Sequence, residues 1–190
     1  MTLKEVYDNF IEDIVKVGYT EEDVVLGFGN EKSEIMLLGE APGKDEVIKK
    51  RPFVGKAGKN LDEFLEYTGI KRESLFITNT VKMRPYKVSE KGTKSNRPPN
   101  TNEKELCKKC LLGEIEVLRP KLTVTLGNTA LKALLGKDKT IGELHGKAEC
   151  GEYGKVFALY HPASIIYRRE LKEVYLEDLL KLKEYIIKYL

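Results

Sequence analysis

The apolar positions of this chain fall into two alternating patterns. Short unbroken runs lie at Glu34–Gly39 (EIMLLG), Leu75–Asn79 (LFITN), Leu122–Leu126 (LTVTL) and Val156–Tyr160 (VFALY), each giving way to polar, Gly or Pro residues. Runs of that length, bounded by turn residues, suit strands buried on both faces. Between them apolar residues recur at helical spacing: Leu61, Phe64 and Leu65 after the first run, and Leu111, Leu112, Ile115 and Leu118 before Pro120. The same spacing at Val6, Phe10, Ile14 and Val15 predicts an opening helix. At Leu171, Val174, Tyr175, Leu179, Leu182 and Ile186 it predicts a closing one that covers a face of the sheet.

Strands that alternate with helices form parallel sheets, because each crossover must carry the chain back to the same end. The expected fold is α/β, a three-layer α/β/α sandwich around a four-stranded parallel sheet, with residues 1–190 as a single domain. Residues 84–101 (RPYKVSEKGTKSNRPPNT) lack apolar periodicity and are expected to form a long loop. Such loops inside compact domains are usually functional or disordered.

Composition narrows the class. Apolar residues make up 41% and charged residues 33% of the chain, a globular balance that argues against disorder. No apolar run approaches the roughly 20 residues of a membrane helix, and the start has no apolar signal core, so a cytoplasmic monomer is expected. Cys107, Cys110 and Cys150 are an odd set in such a protein and are read as reduced thiols. The formal charge of +3 says little about nucleic acid, but between Arg84 and Arg97 five cations face Glu90 alone. That segment could follow phosphates, which makes Arg84 and Lys87 candidate DNA contacts.

Ligands of open parallel sheets bind beyond the carboxyl ends of the strands, and three of the four ends carry a notable polar residue: Glu40, Asn79 and His161. Glu40 opens Gly39-Glu40-Ala41-Pro42-Gly43, followed by Glu46 and then Arg51-Pro52-Phe53-Val54-Gly55. Such loops bring backbone amides to a ligand, which makes Ala41 and Gly43 candidate binding positions. Asn79 offers a side-chain donor and acceptor together, the complement of uracil N3–H and O4, whereas cytosine reverses that pair. His161, one of two histidines, begins His-Pro-Ala-Ser. Taken singly, each is equally a strand-end turn, a capping Asn or a structural histidine.

Together they resemble family 4 of the uracil-DNA glycosylase superfamily, found mostly in bacteria and archaea. The resemblance runs from about Val24 to Leu182. It rests on GEAPG with Glu46, RPFVGKAG with Leu61, ITNTVKMRP, IEVLRPKLTVTLG and YHPAS, in the family's order. It implies Glu40 and Ala41 at the water site, Phe53 as the base-stacking ring, Asn79 as uracil reader and His161 beside uracil O2. Either Glu40 or Glu46 could hold the water, since the much-studied glycosylases carry Asp where this chain has Ala41. The expected activity is hydrolysis of uracil from DNA, with uracil-containing DNA as partner. Hypoxanthine as target, or a non-catalytic nucleic-acid-binding module, are the alternatives.

Two expectations remain. Ile165, Arg168 and Arg169 follow the HPAS turn and could wedge and grip the duplex, although Ile165 could equally begin the core face of the last helix. The resemblance also implies a [4Fe–4S] cluster on four cysteines, a set this chain has largely lost. No Cys precedes Cys107, and Met83 stands where the third ligand belongs. Only Cys107 falls at a ligand position, so neither cofactor nor metal is expected.

Overall fold

A computed structural model describes residues 1–168 and 170–190, without the side chains of Ile166 and Tyr167. The candidate Arg169 thus lies outside the described residues. The chain opens with α1 (Leu3–Lys16), whose first turn is closed by a reciprocal cap: the Glu5 amide donates to Thr2 Oγ1 and the Thr2 amide to Glu5 Oε2. There follow β1 (Phe28–Gly29), β2 (Ile35–Gly39), α2 (Lys44–Lys49), α3 (Lys56–Thr68) and β3 (Phe76–Asn79). The middle holds β4 (Tyr86–Val88), β5 (Lys94–Asn96), α4 (Thr101–Leu118) and β6 (Leu122–Leu126). The chain closes with α5 (Asn128–Leu135), α6 (Ile141–Leu144), β7 (Ala148–Gly151), β8 (Gly154–Leu159), α7 (Pro162–Tyr167) and α8 (Leu171–Tyr189).

The main sheet has six strands in the order β1-β3-β2-β6-β8-β7, and it is mixed. This corrects the expected four-stranded parallel sheet. The four apolar runs do pair in parallel at its centre, but β1 joins β3 and β7 joins β8 antiparallel at the edges. Those edge strands are too short and too exposed to leave an apolar run. Successive side chains of the central strands point to opposite faces. Leu37, Ile77, Val124 and Phe157 thus pack with Phe64, Tyr175 and Leu179 of α3 and α8, while Met36, Leu38, Phe76 and Ala158 pack with Leu111, Ile115 and Leu131 of α4 and α5. Helices therefore cover both faces.

The stretch expected as a loop contains a β-ribbon: β4 and β5 pair antiparallel around a turn at Ser89–Gly92, where Gly92 takes φ of 76°. Every residue of both strands is exposed, so no alternation of apolar and polar residues could betray them. Ile165 is 8% exposed and belongs to the cluster formed by α3, α8 and the sheet. That burial favours the alternative reading, in which Ile165 belongs to a core face.

Candidate active site

Sheet growth reverses at β2, with β3 on one side and β6 on the other, which places a crevice at the carboxyl ends of these strands. A cleft of about 570 Å³ opens there, lined by Glu40, Ala41, Gly43, Glu46, Phe53, Asn79 and His161 among others. A neighbouring cavity of about 580 Å³ shares Glu40, His161 and Ala163 and has Arg168 on its wall.

Asn79 is held by its backbone and leaves its side chain free. The ladder between β2 and β3 runs on past the strand ends: the Thr80 amide and hydroxyl donate to Gly39 O at 2.9 Å, and the Val81 amide donates to Glu40 O at 3.0 Å. From beneath, the Lys82 ammonium donates to Asn79 O at 2.7 Å, to Thr78 Oγ1 at 2.6 Å and to Glu114 Oε2 at 2.7 Å. Both charged side chains are 0% exposed, and Tyr7 donates its hydroxyl to the other Glu114 oxygen at 2.9 Å. Charges so deeply buried persist only when paired and fully hydrogen-bonded. The Asn79 side-chain amide makes no hydrogen bond among the described residues and faces the cleft.

Phe53 meets Asn79 over Gly39. A Cβ on that glycine would lie 2.4 Å from Asn79 Oδ1 and 2.5 Å from Phe53 Cζ, so its absence lets the amide and the ring converge. Phe53 itself takes φ of 54°, a left-handed conformation that costs an L-residue roughly 1–2 kcal/mol. Arg72, in the turn before β3, holds it there by donating to Pro52 O at 3.1 Å and to Phe53 O at 2.7 Å. Gly58 leaves room for the same carbonyl, since a Cβ there would stand 2.0 Å from Phe53 O.

The two carboxylates differ in what their oxygens do. Glu46 accepts from the Gly43 amide at 3.0 Å through one oxygen and from the Gly55 amide at 2.9 Å through the other, tying the two glycine loops together. Glu40 accepts from the Thr129 hydroxyl through Oε2, across the crevice between β2 and β6. Its other oxygen has no partner among the described residues.

His161 caps α7: the Ala163 amide donates to its Nδ1 at 3.1 Å. An imidazole nitrogen that accepts an amide proton carries none itself, so the neutral ring bears its hydrogen on Nε2. Burial holds the His161 pKa below its ordinary value, partly opposed by the Glu40 carboxylate. The ring lies 5.9 Å from that of Phe53.

The remaining candidates scatter. Arg84 donates to Asn96 Oδ1 at 2.7 Å at the foot of the ribbon, Lys87 is exposed on β4, and Arg168 is exposed after α7. Arg72, Lys82, Glu114 and Thr129 were absent from the sequence-based set. Glu114 left a signal, because it shares the apolar face of α4 with Cys110, Leu111 and Ile115 at helical spacing. Thr129 and Arg72 left none.

Two of the three thiols, Cys107 and Cys110, are spent on packing. Cys107 accepts from the Lys82 amide at 3.2 Å and sits 3.6 Å from Met83 Sδ, within an apolar cluster that includes Cys110, Phe10 and Ile14. Burial pushes the Cys107 thiol up to about 11 and that of Cys110 up further, which disfavours the thiolates a metal needs. Cys150 lies on the edge strand β7, and the described residues contain no group of three or more His, Cys, Asp or Glu able to hold a metal. The residues present do not fit an iron–sulfur cluster.

A family model described as the uracil DNA glycosylase superfamily matches residues 26–182. The chain is 40% identical over 173 residues to a type-4 uracil-DNA glycosylase of Archaeoglobus fulgidus, covering 87% of this chain and 83% of that protein. It is 39% identical over 170 residues to the type-4 uracil-DNA glycosylase of Thermotoga maritima, covering 87% and 84%. A DNA polymerase of Bacillus phage SP01 matches 80% of this chain at 31% identity, through 16% of its own length.

Proposed function

The chain belongs to the uracil DNA glycosylase superfamily, and we propose that it hydrolyses the N-glycosidic bond of uracil in DNA, leaving an abasic site for base excision repair. The observation that carries this is the convergence in one cleft of an Asn79 side-chain amide without a partner among the described residues, the Phe53 ring and a His161 ring whose Nδ1 accepts an amide proton. On this reading the 190 residues work as a single domain and a monomer, in the cytoplasm. No described helix is long and apolar enough to cross a membrane.

Uracil stacked in DNA is out of reach, so it is first extruded, at a cost of a few kcal/mol in lost stacking and pairing. The Phe53 ring offsets part of that by stacking on the base. Asn79 then pairs with N3–H and O4, and cytosine is refused because its donor and acceptor are reversed. As the bond to deoxyribose breaks, its electron pair moves into the base and negative charge grows on O2. The His161 Nε2–H donates to it, a contribution of about 2.7–4 kcal/mol by analogy with oxyanion donors. Water adds to the cationic sugar carbon and its proton ends on the departing uracil anion, which leaves as neutral uracil, a step that depends on orientation more than on a strong base. Its holder is Glu40. Both oxygens of Glu46 already accept backbone amides, whereas one oxygen of Glu40 has no partner among the described residues.

Incubation with oligonucleotides containing one uracil or one hypoxanthine, followed by alkaline cleavage at abasic sites, tests the reading. Strand scission at uracil, and none at thymine or cytosine, is the expected result. Intact uracil strands would leave a binding module, and scission at hypoxanthine alone would move the activity to another deaminated base.

A further inference from the structure

The β4–β5 ribbon contributes nothing to the three apolar clusters, yet it stands at the rim of the cleft. Isolated two-stranded ribbons are marginal in water, so this one depends on its foot. There the Arg97 amide donates to Pro85 O at 3.2 Å, its guanidinium donates to Tyr86 O at 3.2 Å, and Pro85, Asn96 and Arg97 wall the cleft. A Cβ on Gly43 would come within 3.2 Å of Asn96 Nδ2, so the foot rests on the GEAPG loop itself.

The register gives one face of the ribbon an unusual content. Tyr86 pairs with Asn96 and Val88 with Lys94, so Tyr86, Val88 and Lys94 share a face, while Lys87 and Ser95 share the other. Tyr86 is 39% exposed and Val88 58% exposed. Lys94 Nζ lies 4.3 Å from the centroid of the Tyr86 ring, and the Arg84 guanidinium carbon lies 5.8 Å from it. An aromatic ring flanked by cations, beside a pocket that takes a base, is how single-stranded nucleic acid is held: rings stack bases and cations follow the backbone. A protein partner fits less well, because lysine is depleted at protein interfaces and this ribbon is rich in it. Three strand residues span about 10 Å, enough for one or two nucleotides.

We propose that the β4–β5 ribbon is a second nucleotide-binding site, in which Tyr86 stacks on an unpaired base beside the uracil while Arg84 and Lys94, the cations beside its ring, meet the flanking phosphates. The assignment rests on the cleft being the uracil site, because the same strand must thread both. It makes uracil in single-stranded or frayed DNA the preferred substrate, since a base stacked within a duplex has no free face to offer Tyr86.

The test measures fluorescence anisotropy of the full chain on a long uracil-free single strand and on the matching duplex, across a salt series. Tyr86→Ala is expected to weaken single-strand binding about tenfold with little change of salt slope, to leave duplex binding nearly unaltered, and to be rescued by Tyr86→Phe. Arg84→Gln with Lys94→Gln should flatten the single-strand salt slope by about 1.4, roughly 0.7 for each lost phosphate contact. Unchanged single-strand affinity in Tyr86→Ala, or equal losses on both DNA forms, would overturn the proposal. Failure of the cleft reading would show instead as absence of uracil release by the unaltered chain. The anisotropy comparison does not depend on that release.

Discussion

The two walls of the cleft are built on opposite terms. On one side the Asn79 backbone is fixed by the strand ladder from above and by the buried Lys82–Glu114 pair from below. On the other side the ribbon is solvent-exposed along both strands and is anchored, among the described residues, at its foot. A reader that separates uracil from cytosine by one donor and one acceptor loses its purpose if it shifts by an ångström. Stacking and phosphate contacts tolerate such shifts. On the roles proposed above, rigidity is therefore concentrated where discrimination is needed, and the grip is left loose.

The hardest way to break the rigid wall is to orphan its buried charge. Lys82→Met leaves the Glu114 carboxylate buried without its cation and is expected to cost about 3–5 kcal/mol, read as a fall in Tm. Adding Glu114→Leu should restore most of that stability, because an apolar pair of similar volume replaces the ions. Excision should nevertheless stay depressed, towards the loss of at least about tenfold, or 1.4 kcal/mol, expected of Asn79→Ala. Full recovery of the rate would show that the pair serves stability alone.

Next in size is His161→Ala. Losing the donor to O2 should slow single-turnover excision at least about a hundredfold, by 2.7–4 kcal/mol. Affinity for uracil-DNA should hardly change, because the charge arises only in the transition state. Equal losses in rate and binding would contradict the role. The contrast with the ribbon sharpens here, since Arg84→Ala should act on KM and leave the rate at saturation within about twofold.

What the sequence disclosed follows the same division. The four central strands were legible because burial on both faces compresses them into unbroken apolar runs, and Glu40, Asn79 and His161 because they stand where those runs stop. The edge strands and the ribbon left no pattern, having too few residues or no buried face. Thr129 meets Glu40 across 89 positions and Arg72 meets Phe53 across 19, distances over which no local spacing can signal a contact. The oxygen occupancies that lead us to propose Glu40 rather than Glu46 as the water's holder were likewise closed to sequence.

Arg72→Met tests whether the stacking ring belongs to the rigid wall. Without the guanidinium, the left-handed Phe53 backbone keeps its cost of roughly 1–2 kcal/mol and loses two hydrogen bonds that offset it. We expect KM to rise about fivefold with little change in kcat. In a Phe53→Ala background the same substitution should have almost no further effect, since it acts through the ring. A persisting loss in that background would assign Arg72 to general stability.

The smallest effect expected is a pH dependence that reports the tautomer of His161. Burial lowers its folded pKa below the ordinary 6.5, so between the folded value and 6.5 the unfolded chain binds more protons than the native one. Stability from this group is thus complete above pH 6.5 and drains away as pH falls through 6.5 towards the folded value. Protonation of Nδ1 would also remove the acceptor for the Ala163 amide and loosen the start of α7. Nitrogen NMR of the ring should show the proton on Nε2 at neutral pH and a midpoint below 6.5. Denaturant unfolding should lose more stability on acidification in the unaltered chain than in His161→Gln. A midpoint above 6.5, or a proton on Nδ1, would mean that the ring is oriented otherwise and that Nε2 is not the donor aimed at uracil O2.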